Sequence, residues 1–228
     1  MLYLDTVNLD EIKQINSITE IKGITTNPKI ILQTPNEKNI TEVIKLINKI
    51  VVVPLSIELT KTDKSDEILV EEALSYTHVY PNVVIKVPMW GNGKGLQLAK
   101  MLIGHNVKVN LTCLMNVEQA ILGCELGVEY VSLFYNRMID YNDSHGSNGR
   151  EEARHVISNV RKLIDDNQYT SRIIAGSIRK PSDISECLIS GAHIVTVPYK
   201  QFVEMIPHPK TDEAIREFDE ASAKFLQK

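Results

Sequence analysis

A lysine lies in the middle of an apolar run, which is a costly place for a charged side chain. Lys86 is surrounded by valine and isoleucine in VVIKVP, residues 83–88. An unpaired buried ammonium is so unfavourable that such a lysine either pairs with a carboxylate or has a function. Desolvation lowers the pKa of a lysine, and the neutral amine can attack a carbonyl carbon. A structural ion pair with a neighbouring strand is the alternative interpretation.

Polar residues stand at or near the ends of the other apolar runs. Two are carboxylates, Asp5 and Glu58. If the amine of Lys86 attacks a carbonyl carbon, these carboxylates could move the protons that dehydration of the resulting carbinolamine and carbon–carbon cleavage require. Arg137 and Arg179 follow the late runs, and a guanidinium group suits the geometry of a phosphate. The remaining amides and hydroxyls are Asn27, Asn110, Thr112, Ser132 and Ser177. Individually several of these are typical caps or turn residues, so the prediction of a site depends on their joint placement.

The apolar runs alternate with amphipathic segments along the whole chain. The eight runs are residues 2–5, 21–26, 50–58, 83–87, 107–112, 130–134, 172–177 and 192–197. Several are rich in valine and isoleucine without polar alternation, which is typical of parallel strands covered by helices. The predicted helices between them are 8–17, 38–49, 66–76, 94–104, 116–126, 150–166 and 182–190.

Repeated strand–helix alternation without a linker predicts an α/β protein, a closed (β/α)₈ TIM barrel over residues 1–210. A doubly wound open sheet is the alternative, although the early chain has no GxGxxG fingerprint. In a barrel the polar strand ends converge on one mouth, at the C-terminal face where barrel active sites lie. Residues 91–95 and 141–149 are expected to be loops at this face or ordinary surface turns.

Residues 211–228 are predicted to form an extra helix with an apolar stripe. The stripe consists of Ala214, Ile215, Phe218, Ala221, Phe225 and Leu226. Because an apolar stripe of this length is rarely left in water, the helix is expected to pack on a neighbouring subunit. A helix folded back on its own barrel is the alternative.

Composition argues against several classes of protein. The 228 residues are 43% hydrophobic and carry a net charge of −4, with no basic footprint for nucleic acid or an anionic membrane. Cys113, Cys124 and Cys187 fit no zinc or redox motif, which favours a reduced, cytoplasmic compartment. The N-terminal segment is predicted to be a strand and a helix rather than a signal peptide. No apolar stretch reaches the roughly 18 residues of a membrane span.

Six segments, in order and spacing, resemble the small-subunit transaldolases and the fructose-6-phosphate aldolases over nearly the whole chain. They are LYLDT (2–6), GITTNP (23–28), VVIKVP (83–88), VNLTCLMNVEQA (109–120), SLFYNR (132–137) and AGSIR (175–179). The resemblance implies that Lys86 forms a Schiff base. It implies catalytic roles for Asp5, Asn27, Glu58 and Thr112. It implies substrate binding by Asn110, Ser132, Phe134, Arg137, Ser177 and Arg179.

The resemblance also implies an activity. Glu58 on the third strand and Phe134 in the sixth match the transaldolases, whereas the aldolase branch has Gln and Tyr there. The expected reaction moves a dihydroxyacetone unit between sugar phosphates and needs no metal or organic cofactor. A lyase that releases dihydroxyacetone and a non-catalytic phosphosugar-binding barrel are the alternatives. Residues 89–96 and 141–149 are longer than usual in the family, which leaves the identity of the sugars open.

The resemblance finally implies a homo-oligomer. Rings of five subunits, often paired into decamers, are expected, with the terminal helix of each chain crossing to its neighbour.

Overall fold

The computed structural model describes residues 1–32, 39–60 and 63–226. Within these ranges, eight parallel strands close into a barrel in chain order, which confirms the predicted fold class. The strands are β1 Leu2–Asp5, β2 Ile24–Thr25, β3 Leu55–Glu58, β4 Val83–Pro88, β5 Val109–Leu114, β6 Tyr130–Phe134, β7 Arg172–Gly176 and β8 Ile194–Pro198.

Helices follow the strands, and those with buried residues cover the outside of the barrel. They are α1 Leu9–Ile18, α2 Pro28–Leu32, α3 Ile40–Asn48, α4 Asp66–Val79, α5 Lys94–Gly104, α6 Val117–Leu126, α7 Tyr135–Ser144, α8 Gly149–Asp166, α9 Pro181–Ile189, α10 Tyr199–Glu204 and α11 Pro209–Leu226. Residue 38 of the predicted helix 38–49 and the last two residues of the segment 211–228 lie outside the described residues.

Two strands are much shorter than the sequence predicts. The run 50–58 contributes only Leu55–Glu58 to the sheet, because its first residues complete the end of α3. The backbone N–H of Val51 still donates to the carbonyl of Ile47, at 3.0 Å. The run 21–26 contributes only Ile24–Thr25. The apolar runs therefore located both strands but not their boundaries, and Val52 in the first run is 71% exposed.

The predicted loop 141–149 is wrong for Gly149, the first residue of α8, and for its first four residues, which belong to α7. This helix begins directly after β6 and buries Tyr135, Met138 and Ile139. These positions have helical spacing, but polar residues follow them closely, so the sequence resembles a loop. Hydrogen bonding of the backbone and the buried side of the helix overcome that local polarity.

The interior of the barrel has an apolar floor beneath its polar mouth. Alternate side chains of a barrel strand point inward, so inward-facing residues lie two apart. Tyr3, Val84, Tyr130, Ile174 and Ile194 form a buried cluster separate from the core beneath the helices. The rings of Tyr3 and Tyr130 meet edge to face, and their hydroxyls lie 3.1 Å apart. Two residues further along these strands, the inward positions are those that line the mouth.

The terminal helix α11 differs from the other long helices because none of its described residues is buried. Phe218 is 69% exposed and Phe225 is 77% exposed. The apolar stripe therefore does not lie against the barrel of its own chain, contrary to the alternative of a folded-back helix. Among the described residues, no helix combines the length and the apolar character needed to cross a membrane.

Candidate active site

The barrel mouth encloses a cavity of about 150 Å³. Its lining residues are Asp5, Thr25, Asn27, Lys86, Asn110, Thr112, Ser132, Phe134, Arg137, Ile174, Gly176, Ser177 and Thr196. This lining includes every predicted site residue except Glu58 and Arg179. Residues far apart in the chain meet here because the parallel strands all end at one face of the barrel.

Lys86 lies in the upper layer of the barrel and is 6% exposed. Parallel pairing of β3 with β4 places Glu58 beside it, and Nζ of Lys86 lies 3.3 Å from Oε2 of Glu58. The same nitrogen donates a hydrogen bond to the carbonyl of Thr26, at 2.7 Å. The lysine is therefore paired with a strand carboxylate, as the structural interpretation required, and its amine also lines an open cavity.

Asp5 ends β1 and lines the same cavity as Lys86. The hydroxyl of Thr25 donates to Oδ1 of Asp5 at 2.5 Å and also lies 2.5 Å from the hydroxyl of Thr196. Burial raises the pKa of Asp5, while the positive charge of Lys86 and the bond from Thr25 act in the opposite direction. A carboxyl group with a raised pKa can hold a proton and release it during a reaction.

A chain of hydrogen bonds fixes the polar groups of β3, β5 and β6. Asn110 is fully buried, donates to the hydroxyl of Ser56 at 3.3 Å and accepts from Ser132 at 2.6 Å. The hydroxyl oxygen of Thr112 is also buried, but it has no hydrogen-bond partner among the described residues. An unsatisfied buried hydroxyl costs free energy, so Thr112 is available for a substrate or a water molecule.

Asn27 both caps a helix and lines the cavity. Its side-chain oxygen accepts from the backbone N–H of Ile30 at 3.1 Å, which caps the start of α2. The same residue lines the cavity. The cap that the sequence suggested as an alternative is therefore present, and it holds Asn27 at the mouth.

Phe134 and Tyr135 point in different directions at the end of β6. Phe134 lines the cavity, and the guanidinium of Arg137 lies 5.7 Å from the centre of its ring. The hydroxyl of Tyr135 instead donates to Glu186 of α9 at 2.7 Å, and the tyrosine is fully buried between helices. The aromatic group at this position of the mouth thus has neither a donor nor an acceptor.

The two predicted phosphate arginines have different surroundings. Arg137 lines the cavity beside Ser177, whose backbone has the left-handed φ of +62°. Arg179 lies outside the cavity lining, with its side chain 53% exposed, and forms a two-pronged ion pair with Asp140. This pairing holds the pKa of Asp140 below its usual range. The structure brings Arg137 to the mouth and leaves Arg179 beside it.

Sequence reasoning missed several residues that hold the site. Thr25 and Thr196 bond to each other and, through Thr25, to Asp5. The sequence could have indicated both threonines, because the alternation of strand residues places them at inward-facing positions of the predicted barrel. Asp183 and Asn136 had no such signal, because they belong to helices that are distant in the chain and bond to each other and to the segment 177–180. No cluster of histidine, cysteine and carboxylate side chains among the described residues could hold a metal ion.

The fold and the site together define a (β/α)₈ barrel with a buried amine, paired to a carboxylate, at its C-terminal mouth. The chain belongs to the transaldolase/fructose-6-phosphate aldolase family, whose model matches residues 2–228. It is 35% identical over 216 residues to a probable transaldolase of Agathobacter rectalis, covering 95% of this chain and 94% of that protein. It is 36% identical over 217 residues to a probable transaldolase of Clostridium kluyveri, with coverages of 95% and 94%.

Solved structures support the fold alone. A thiamine phosphate pyrophosphorylase from Pyrococcus furiosus superposes with a TM-score of 0.57 at 12% identity, over 86% of this chain and 84% of that one. A mandelate oxidase variant superposes with a TM-score of 0.57 at 10% identity, over 87% of this chain and 64% of that one. Identities this low show a shared barrel and do not indicate a shared reaction.

Proposed function

We propose that this protein transfers a dihydroxyacetone unit from a ketose phosphate to an aldose phosphate through a Schiff base on Lys86. The observation that carries the proposal is the buried amine of Lys86, 3.3 Å from Glu58 and open to the cavity. Membership of the family supports the same reaction. The names of the relatives favour transfer over release.

The amine must lose a proton before it can attack the ketone, and Glu58 is the nearest carboxylate to receive it. Attack gives a carbinolamine, whose hydroxyl leaves as water once Glu58 returns a proton, with Thr112 orienting the leaving oxygen. The resulting iminium withdraws electrons while the bond between carbons three and four breaks. As this bond breaks, Asp5 accepts the proton of the hydroxyl on carbon four, and its raised pKa suits that role. The other half of the donor leaves as an aldose phosphate.

The enamine left on Lys86 keeps three carbons of the donor. It adds to the aldehyde of the acceptor, Asp5 returns the proton to the new hydroxyl, and hydrolysis of the new iminium frees the product. The alternative fate is protonation and release of free dihydroxyacetone. Phe134 favours transfer, because its ring cannot hold the water molecule that release requires. Neither fate needs a metal or an organic cofactor, because the iminium acts as the electron sink.

The phosphate end of the substrate is assigned to Arg137 and Ser177, which share the cavity. Arg179 joins them by exchanging Asp140 for the phosphate, because both partners present two oxygens to the guanidinium. Sugar phosphates are therefore the proposed substrates. The three cysteines are free thiols, which supports a cytoplasmic location.

Borohydride reduction tests the Schiff base. Incubation with fructose 6-phosphate and borohydride should attach a reduced six-carbon or three-carbon adduct to Lys86, located by peptide mass spectrometry. Addition of erythrose 4-phosphate as acceptor should produce the transfer product faster than free dihydroxyacetone appears. An adduct on another lysine, or turnover of substrate without any adduct, would contradict the proposal.

We also propose that α11 packs on a neighbouring subunit in a ring of five, alone or paired into a decamer. The exposed apolar side chains of this helix support the proposal, because they need a partner surface. Light scattering on the full chain should give an oligomer, and a chain ending at Pro209 should give smaller particles. A full-length monomer would refute the assignment.

A further inference from the structure

The carboxylate of Asp183 is fully buried, although it belongs to the first turn of α9 and lies outside the cavity lining. Its Oδ2 accepts from the backbone N–H groups of Arg179 at 3.1 Å and Lys180 at 3.2 Å. The same oxygen accepts from the side-chain amide of Asn136 at 2.7 Å. One carboxylate oxygen therefore organises the backbone that connects β7 with α9.

Asn136 connects this carboxylate to the cavity. Its Nδ2 donates to Asp183 and also to the backbone carbonyl of Ser177, at 2.8 Å. A primary amide has two N–H donors, so both are used. Asn136 precedes Arg137 in α7, and Ser177 has an uncommon left-handed backbone. The amide thus ties together the two segments that carry Arg137 and Ser177.

A negative charge buried to this degree requires compensation. The guanidinium of Arg150 lies 3.4 Å from Oδ1 of Asp183 and also pairs with Glu186, which accepts from Tyr135. An ordinary capping box accounts for the bond from the N–H of Lys180 and for nothing more. The bonds to Arg179 and Asn136, together with the contact with Arg150, form a network that extends across α7, α8 and α9.

We propose that Asn136 and Asp183 are positioning residues for the phosphate end of the site. They hold Arg137 and Ser177 at a fixed separation before the substrate arrives, so that binding does not have to order the two segments. Neither residue belongs to the cavity lining. The inference rests on the proposed function, in which Arg137 and Ser177 receive the phosphate.

The variant Asn136→Asp tests the link, because it removes both donors and places a second carboxylate beside Asp183. The matched control is Tyr135→Phe, which removes one hydrogen bond of the same network without touching the segment 177–180. The double variant Asn136→Asp/Asp183→Asn reverses the pair. It restores a hydrogen bond between positions 136 and 183 and leaves the carbonyl of Ser177 without its donor.

Two measurements distinguish phosphate binding from general stability. The first is the increase in Tm with inorganic phosphate, which requires no chemistry. The second compares the rates of borohydride trapping with fructose 6-phosphate and with dihydroxyacetone, which forms the same Schiff base without a phosphate. Asn136→Asp should need about tenfold more inorganic phosphate for the same increase in Tm. It should also need about tenfold more fructose 6-phosphate for the same rate of trapping. Its trapping with dihydroxyacetone should change less than about twofold.

Tyr135→Phe should lower Tm while its dependence on phosphate stays that of the unmodified protein. The double variant should regain stability but keep the weakened response to phosphate, and it carries the test if the single variant does not fold. An unchanged phosphate response in folded Asn136→Asp, or its recovery in the double variant, would overturn the inference. If the unmodified protein traps no ketone but Asn136→Asp still weakens phosphate binding, the proposed reaction fails and the positioning role stands.

Discussion

The two sides of the barrel mouth hold their charges in opposite ways. The side built by β1 to β5 buries Lys86 and keeps its partner Glu58 within 3.3 Å. The side built by β6 and β7 presents arginines at the surface, one of them already paired with exposed Asp140. Buried charges interact strongly because water does not screen them, whereas exposed pairs contribute little. We therefore expect the first side to carry the chemistry and the second side to contribute binding affinity for the phosphate.

The largest effect is expected at the buried lysine. Lys86→Met keeps the length of the side chain but removes the nucleophile, so transfer should fall by at least about four orders of magnitude. Steady-state assays on a variant shown to be folded by circular dichroism measure the loss. The control Lys94→Met changes a lysine on α5 that lies outside the cavity lining and should keep activity within about twofold. Residual transfer above a few per cent in Lys86→Met would remove the lysine from the mechanism.

Phe134 lies where the two sides meet, and its substitution should change the fate of the intermediate. Phe134→Tyr adds a hydroxyl that can hold a water molecule near the enamine. The ratio of dihydroxyacetone release to transfer should rise by one or two orders of magnitude, which requires roughly 1.4–2.7 kcal/mol in relative barrier height. Assays with and without an acceptor aldehyde measure the ratio. Efficient release by the unmodified protein without an acceptor would place this chain with the aldolases.

The arginines should have smaller and unequal effects. Arg137→Ala should raise KM for phosphorylated substrates about tenfold with little change in kcat, because the lost contact is shared by ground and transition states. Arg179→Ala should raise KM only about threefold, since binding phosphate requires the guanidinium to leave Asp140. Equal effects of both substitutions would show that the pair with Asp140 does not compete with substrate.

The smallest expected effect is on stability, through the pH dependence of Asp5. Because the pKa of Asp5 is raised in the folded state, its favourable contribution is present at acidic pH and is lost as the pH rises through that raised value. Asp5→Asn removes this loss, so at neutral pH the variant should be more stable than the unmodified protein, with a higher Tm, while losing activity. Thermal unfolding between acidic and neutral pH tests this. Parallel pH profiles for both proteins would contradict the raised pKa.

Local patterns were sufficient for the barrel and for much of its mouth. Runs of valine and isoleucine between amphipathic helices require a covered parallel sheet, and the closed barrel confirms that prediction. Lys86 could be recognised because a charge inside an apolar strand is costly wherever the strand lies. The helix α7 could not be predicted in the same way, since its buried residues are covered only when the helix, which follows β6 directly, packs against α8 and α9.

The sequence by itself determined which residues could do chemistry and that strand ends would bring them together, because strand periodicity and burial are local properties. Only the tertiary structure decided where the side chains beyond the strands point. Arg137 turns to the cavity and Arg179 to Asp140, although both follow late strands in the same way. Asp183 becomes a buried junction because Asn136 and Arg150 contact it from two other helices. Hydrogen bonds between segments that are distant in the chain leave no periodic pattern in the sequence, so only the tertiary structure shows them.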